Sequence, residues 1–294
     1  MKFGKLDHIE EVDFSLPEDH AVTSKVLDGA PFKTKIQLGG TMWNIRPWKG
    51  TWYPEGTRIK DFGMAYCQLF NTIELNATHY KIHPPEIVRK WKSWADKGFT
   101  FCPKFPNLIT HYRQFLNCEA LTDEFFVAVS EFKELMGPCF IQLPERTAPT
   151  QAAKIQKYLM TLPTDVKIHI EFRHEGWFQN SPEVEDTWQL IEELGIGSVI
   201  TDTAGRRDAL HMRLTNKTLI LRFGGNELDP TDSQRLAEWA QRIKQWSDHG
   251  LEEVQMWMHQ PDSVLTPETL LIFEQELNKV GIESNVFDQQ STLF

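Results

Sequence analysis

Charged and amide side chains recur at the ends of short apolar runs in this chain. Glu74 and Asn76 share one face of Thr72-Ile73-Glu74-Leu75-Asn76, and Lys104 closes Phe99-Thr100-Phe101-Cys102-Pro103-Lys104. Gln142 lies within Phe140-Ile141-Gln142-Leu143, and Glu171 and Arg173 share a face of Ile170-Glu171-Phe172-Arg173. Asp202 ends Val199-Ile200-Thr201-Asp202, Arg222 ends Leu219-Ile220-Leu221-Arg222, and His259 follows Met256-Trp257-Met258. Gathered at one place, three carboxylates, three cations and an imidazole can hold an anion and move protons. A single strand-end charge is more often a solvated tip or a structural ion pair. Burying several ionisable groups together costs several kcal/mol each unless they pair, so the set implies either mutual neutralisation or a binding pocket.

The elements that must position these residues follow from the hydrophobic pattern. Apolar runs at 36–41, 72–77, 99–104, 139–143, 166–173, 198–202, 219–223 and 254–259 read as strands. Amphipathic stretches at 59–70, 85–95, 122–135, 150–159, 182–194, 232–247 and 267–280 read as helices, with 204–215 the least regular of them. Pro182 and Pro267 suit the first turn of a helix, where a missing N–H costs nothing. Strand–helix alternation implies right-handed βαβ units and a parallel sheet. Eight such units predict an α/β fold, a closed parallel (β/α)8 TIM-type barrel. An open doubly wound sheet is the competitor, but its glycine-rich fingerprint is absent after the first strand. In a barrel the inward residues at the C-terminal strand ends build the active site.

The boundaries predicted are an acidic arm over 1–34, one barrel domain over 35–282 and a C-terminal tail over 283–294. Asp7, Glu10, Glu11, Asp13, Glu18, Asp19 and Asp28 outnumber the lysines of the arm. Across 294 residues, Lys+Arg 31 against Asp+Glu 41 gives a net charge of −10. That balance disfavours long nucleic acid, which needs a basic footprint. The 40% hydrophobic content excludes a disordered chain. Cys67, Cys102, Cys118 and Cys139 form no C-x-x-C pair and read as reduced thiols. The start lacks the apolar run of a signal peptide, and no apolar stretch approaches the ~18 residues of a membrane span. The expectation is a soluble cytoplasmic protein; its oligomeric state is left open.

Ordered motifs over about 36–279 carry a resemblance. They are Trp48-Lys49-Gly50-Thr51-Trp52-Tyr53-Pro54, Phe70-Asn71-Thr72-Ile73-Glu74-Leu75-Asn76-Ala77-Thr78-His79-Tyr80, Phe101-Cys102-Pro103-Lys104, Ile109-Thr110-His111, Gln142-Leu143-Pro144 and Glu171-Phe172-Arg173-His174-Glu175-Gly176-Trp177. In these the chain resembles the YecE-like proteins, also called the domain-of-unknown-function 72 family. The resemblance implies a TIM-type barrel and brings no settled activity. Its motif positions fall on Glu74, Asn76, Tyr80, Lys104, Thr110, His111, Gln142, Glu171, Arg173, Trp177, Asp202 and Arg222. The chain departs from the pattern at Gly39-Gly40-Thr41-Met42-Trp43, where Gly-Thr-Ser-Gly-Trp is usual. It departs again at Met258-His259-Gln260, which puts an imidazole where Phe-Asn-Asn has an amide.

Four chemistries compete for these residues. Glu74, Glu171, Asp202, His111 and His259 offer metal ligands, but without clustered spacing and with Lys104, Arg173 and Arg222 nearby, so a divalent metal is not favoured. No cofactor is assigned. The three cations form a natural anion receptor, and Arg222-Phe223-Gly224-Gly225-Asn226 has the glycines of a phosphate loop. As catalytic candidates, Glu74 and Glu171 suit a general base, His111 a proton shuttle and Asp202 an orienting partner. Cys102, on the face of Lys104, reads as a buried structural thiol rather than a nucleophile. Trp43, Trp48, Trp52, Tyr53, Tyr80 and Trp177 cluster in loops and can stack a flat ring or cover the barrel. With Asn76, Tyr80, Lys104, Gln142, Arg173, Trp177, Arg222 and His259 as substrate contacts, two readings remain. One is a hydrolase, lyase or isomerase acting on a phosphorylated, nucleotide-like or otherwise anionic substrate. The other is a non-catalytic binding or sensing protein for such a ligand; a metal-dependent nuclease or sugar isomerase ranks behind both.

Overall fold

A computed structural model describes residues 3–287. Eight strands follow one another along the chain: β1 (Lys35–Gly39), β2 (Thr72–Leu75), β3 (Thr100–Pro103), β4 (Cys139–Gln142), β5 (Ile168–Glu171), β6 (Gly197–Asp202), β7 (Thr218–Gly224) and β8 (Glu253–His259). Helix α1 (Ala21–Val26) precedes β1 within the N-terminal arm. Helices α2 (Phe62–Leu69), α3 (Ala77–Tyr80), α4 (Pro85–Lys92), α5 (Glu119–Val129) and α6 (Ala152–Leu159) lie between the first five strands. Then come α7 (Pro182–Glu193), α8 (Pro230–Asp248) and α9 (Thr266–Lys279). Local chemistry starts the helices where expected: Ser181 Oγ accepts from Val184 N ahead of Pro182, and Asp229 accepts from Thr231 N ahead of Pro230. The stretch 204–215 is not a helix. It holds a single 3-10 turn, Arg207–Ala209, and its backbone is fixed by Ser198 Oγ donating to the Arg213 carbonyl.

All strand pairs are parallel, in a six-stranded sheet ordered β1-β8-β7-β6-β5-β4 and a two-stranded sheet β2-β3. The expected single ring of eight is therefore interrupted in its ladder at two junctions, β1–β2 and β3–β4. The sheets nevertheless touch there. Glu74 N donates to Gly40 O at 3.1 Å, while Phe105 N donates to Phe140 O at 2.9 Å and Gly137 N to Phe101 O at 2.8 Å. At Gly39 the approach is so close that an added Cβ would lie 2.0 Å from the Thr72 carbonyl oxygen. A four-residue strand that meets its neighbour at one or two points leaves no room for a full ladder.

Alternation sorts the apolar side chains into two bodies. The large one lies between strands and helices; a small one joins Cys102, Phe140, Val199, Ile220 and Trp257, from β3, β4, β6, β7 and β8. The arm packs on the flank of α8 and β6. Phe14 is buried, its ring against the guanidinium groups of both Arg207 and Arg235, and Thr23 Oγ1 donates to Met212 O at 2.7 Å. At the other end, Phe287 packs edge-on to Trp52 and Phe70, so the expected tail begins as part of the core; 288–294 lie outside the described residues.

Gly39→Ala must push against the backbone of β2, and we expect a loss of about 1–3 kcal/mol in denaturant unfolding. Gly56→Ala, with nothing within 4 Å of the added methyl, should stay within about 0.5 kcal/mol of the parent. Equal stability of the two variants would remove the close β1–β2 approach.

Candidate functional site

Arg222 projects from β7 between two buried carboxylates. Its Nε and Nη2 donate to Glu74 Oε2 and Oε1 at 3.0 and 2.9 Å, and its Nη1 donates to Glu171 Oε1 and Oε2 at 2.8 and 3.1 Å. Both carboxylates are fully buried. Glu171 also accepts from Arg173 Nε at 3.1 Å, Thr201 Oγ1 at 2.8 Å and Gln142 Nε2 at 2.6 Å. Glu74 lies 2.6 Å from His259 Nε2. Burial alone would raise both carboxyls. The neighbouring guanidinium groups outweigh it, holding Glu74 well below its ordinary range and Glu171 down to about 2. Ionised Glu74 can only accept, so His259 donates through Nε2 and stays neutral; burial pushes its pKa down to about 4.

Above this cluster opens a cavity of about 480 Å³. Glu74, Lys104, Gln142, Arg173, Arg222 and His259 line it, with Asn76 and Tyr80 from the two ends of α3 and Trp43 from the loop after β1. Glu171 lies beneath, out of its reach. Lys104, at the end of β3, is the unusual member. Its ammonium sits 5.6 Å from the centre of the Phe140 ring, and among the described residues no acceptor is within hydrogen-bond distance of it. Burial, reinforced by Arg222 and only partly offset by Glu74, pushes its pKa down to about 7.

Several expected members stand elsewhere. Asp202 is turned the other way: Thr201 faces Glu171, so the next residue of β6 must face α8, where Arg235 Nη2 and Trp239 Nε1 each donate to it at 2.7 Å. Trp177 is a core residue, 1% exposed, packed against Phe172 with its Nε1 donating to Thr147 O. His111 lies beside the cavity rather than in its lining, with Nδ1 2.7 Å from Thr110 Oγ1 and its ring against His79. Of the loop aromatics, Trp43 and Tyr80 reach the cavity, whereas Trp48 and Tyr53 are core. The loop after β7 is no vacant phosphate seat. Its amides at Asn226 and Leu228 donate to the Asp232 carboxylate, an internal anion that already occupies that position. Thr201 joins the cluster without having been expected there, although its face follows from Val199 two residues earlier in the small interior cluster. Among the described residues, no three His, Cys, Asp or Glu side chains are grouped to hold a metal ion, and no helix is long and apolar enough to cross a membrane.

Parallel βα units with an ion-pair cluster at the C-terminal strand ends define an α/β protein with a candidate site at its mouth. Residues 37–290 match the model of the family described as "Protein of unknown function DUF72", and the chain belongs to that family. It is 29% identical to the UPF0759 protein YecE of Escherichia coli, in strain K12 and in O157:H7, over 78% of this chain and 91% of the relative. Crystal structures of a DUF72 family protein from Enterococcus faecalis share the fold, with TM-scores of 0.66 and 0.65 at 18% and 19% identity. They match 83% of this chain and 95% and 98% of theirs.

Two outcomes follow from this geometry. Arg222→Met strands two buried carboxylates and should cost about 3–5 kcal/mol in denaturant unfolding; a loss below ~1 kcal/mol would mean that the pairing is not made. Acidification should also destabilise the protein. The folded pKa of His259 lies below the ordinary 6.5, so the unfolded chain takes up the proton first, and stability present above 6.5 is lost as pH falls toward 4. Glu171 adds a second loss from about 4.5 toward 2. His79, pushed by burial to about 3, and His111, to about 4, act in the same sense as His259. His259→Gln keeps a donor toward Glu74 and should flatten the unfolding midpoint between pH 6.5 and 4; an unchanged slope would refute the assignment to His259.

Proposed function

We propose that this cavity is the active site of an enzyme, a hydrolase, lyase or isomerase, acting on a small phosphorylated, nucleotide-like or otherwise anionic substrate. One observation carries the reading: groups from six separate strand ends line one small cavity. Structural need alone is a poor explanation, because a buried ionic cluster is seldom more stabilising than apolar side chains of the same volume. In this reading Arg173 meets the anion with its planar fork. Arg222 keeps Glu74 and Glu171 ionised and in place rather than clamping the ligand itself. Glu74 acts as base, and Trp43 and Tyr80 offer faces for a flat ring.

The same reading closes the eight strands into a (β/α)8 barrel, with β2 and β3 between β1 and β4. The hydrogen bonds at both junctions support it, as does the reach of Arg222 on β7 to Glu74 on β2. The expected arm, described from residue 3 onward, serves as an accessory flanking the mouth: the centre of the Phe3 ring lies 4.5 Å from the Arg173 guanidinium carbon, and Gly205 N donates to Gly4 O at 2.7 Å. Residues 35–282 form the barrel domain, and the protein works in the cytoplasm on a small ligand, its charge of −10 turning long nucleic acid away. A non-catalytic sensor is the second reading, favoured by the degree to which Arg222, Glu74 and Glu171 already satisfy one another.

Calorimetric titration with inorganic phosphate and with mononucleotides tests the anion site. Binding is expected, and Arg173→Ala should weaken it about tenfold or more, since a charge-assisted contact contributes ~1.5–3 kcal/mol and 1.4 kcal/mol is one decade. No heat at millimolar ligand, or equal affinity in the variant, would overturn it.

A further inference from the structure

We propose that Lys104 is a nucleophilic amine that captures a small carbonyl substrate as a Schiff base in the cavity at the strand ends. The proposal rests on the reading of that cavity as an active site and names the class of substrate it takes. Its first support is position. Lys104 directly follows β3, is 6% exposed, and lines the cavity instead of lying beneath it as Glu171 does. Thr78 Oγ1 donates to the Lys104 carbonyl at 2.8 Å, anchoring the backbone from which the side chain extends.

The second support is the company the amine keeps. A buried ammonium is ordinarily matched to a carboxylate, yet Glu74 and Glu171 are both engaged by Arg222. The groups whose charge reaches Lys104 are Arg222 from β7, Arg173 after β5, Glu74 from β2 and Glu171 from β5. His79 and His111 border it from α3 and from the turn after β3, and both are held neutral by burial. Beneath the side chain lies the apolar ring of Phe140. Desolvation and neighbouring cations are the two influences that keep a lysine amine neutral and nucleophilic at physiological pH. They bring Lys104 down to about 7, toward the neutral amine that carries the lone pair.

The step balances without any further reagent. The Nζ lone pair forms a C–N bond to the carbonyl carbon, the carbonyl π electrons move to oxygen, and a carbinolamine results. One amine hydrogen moves to that oxygen as the carbinolamine forms; its hydroxyl then leaves with the remaining amine hydrogen as water, and C=N replaces C=O. An anionic group on the same substrate would meet Arg173 across the cavity.

The experiment uses the full chain at pH 7 with pyruvate, glyoxylate or acetone as probe, each with cyanoborohydride, followed by peptide mass spectrometry. With at least one probe, the reduced adduct should appear at Lys104 at least tenfold above any other lysine. Trinitrobenzenesulfonate labelling of Lys104 should rise with a midpoint near pH 7, well below that of exposed lysines. No selective adduct with any of the three probes, or a labelling midpoint above 9, overturns the proposal. Per-site mapping on the unaltered protein makes the result independent of how a variant folds; Lys104→Arg then checks that the adduct disappears while a cation is kept. Phosphate binding that depends on Arg173 without an adduct defeats this proposal alone. An adduct without phosphate binding defeats the anion reading alone.

Discussion

One guanidinium organises the mouth of this protein. Arg222 takes both oxygens of Glu74 on one side and both oxygens of Glu171 on the other, joining β7 to β2 and to β5. Two buried carboxylates without such a partner would be protonated or would not be buried at all. Because the tie holds them ionised, Glu74 can orient His259, and Glu171 can collect Thr201, Gln142 and Arg173. It also leaves Lys104 without a counter-ion among the described residues. The reactivity proposed for that amine follows from how the arginine is used.

The chain separates its ionic needs into two faces of the same strands. Inward, Arg222 meets Glu74 and Glu171. Outward, Arg235 and Arg207 meet Asp202, with Trp239 as a third donor. Phe14 of the arm covers those two outer arginines, which fixes the arm to the body beside the mouth. Asp232 serves a comparable purpose after β7, satisfying amides that a phosphate would otherwise attract.

Much of this architecture is legible in the order of the residues. The eight apolar runs fall on the eight strands, because a strand buried on both faces reads as a continuous hydrophobic stretch. Glu74, Lys104, Gln142, Arg173, Arg222 and His259 stand out as polar interruptions of those runs, and they share one cavity. Asp202 does not join them, because a strand-end charge says nothing about parity; only the inward set of Val199 and Thr201 reveals it. Trp177 reads alike whether it caps a ligand or fills a core. Opposing cations and carboxylates do not resolve into partners either, since pairing depends on which strands face each other across the interior. The expected helix over 204–215 fails for a different reason: its residues bury against β6 as irregular backbone, held by contacts distant in sequence.

A multiple-variant unfolding measurement probes the charge tie at Arg222 itself. Arg222→Met would be compared by urea denaturation with the triple variant Glu74→Gln, Glu171→Gln, Arg222→Met. If stranded carboxylates are what the single variant suffers from, removing their charges should recover most of its lost stability, leaving the triple variant within about 1–2 kcal/mol of the parent. A triple variant less stable than Arg222→Met alone would contradict the tie, because the carboxylates would then be contributing on their own account.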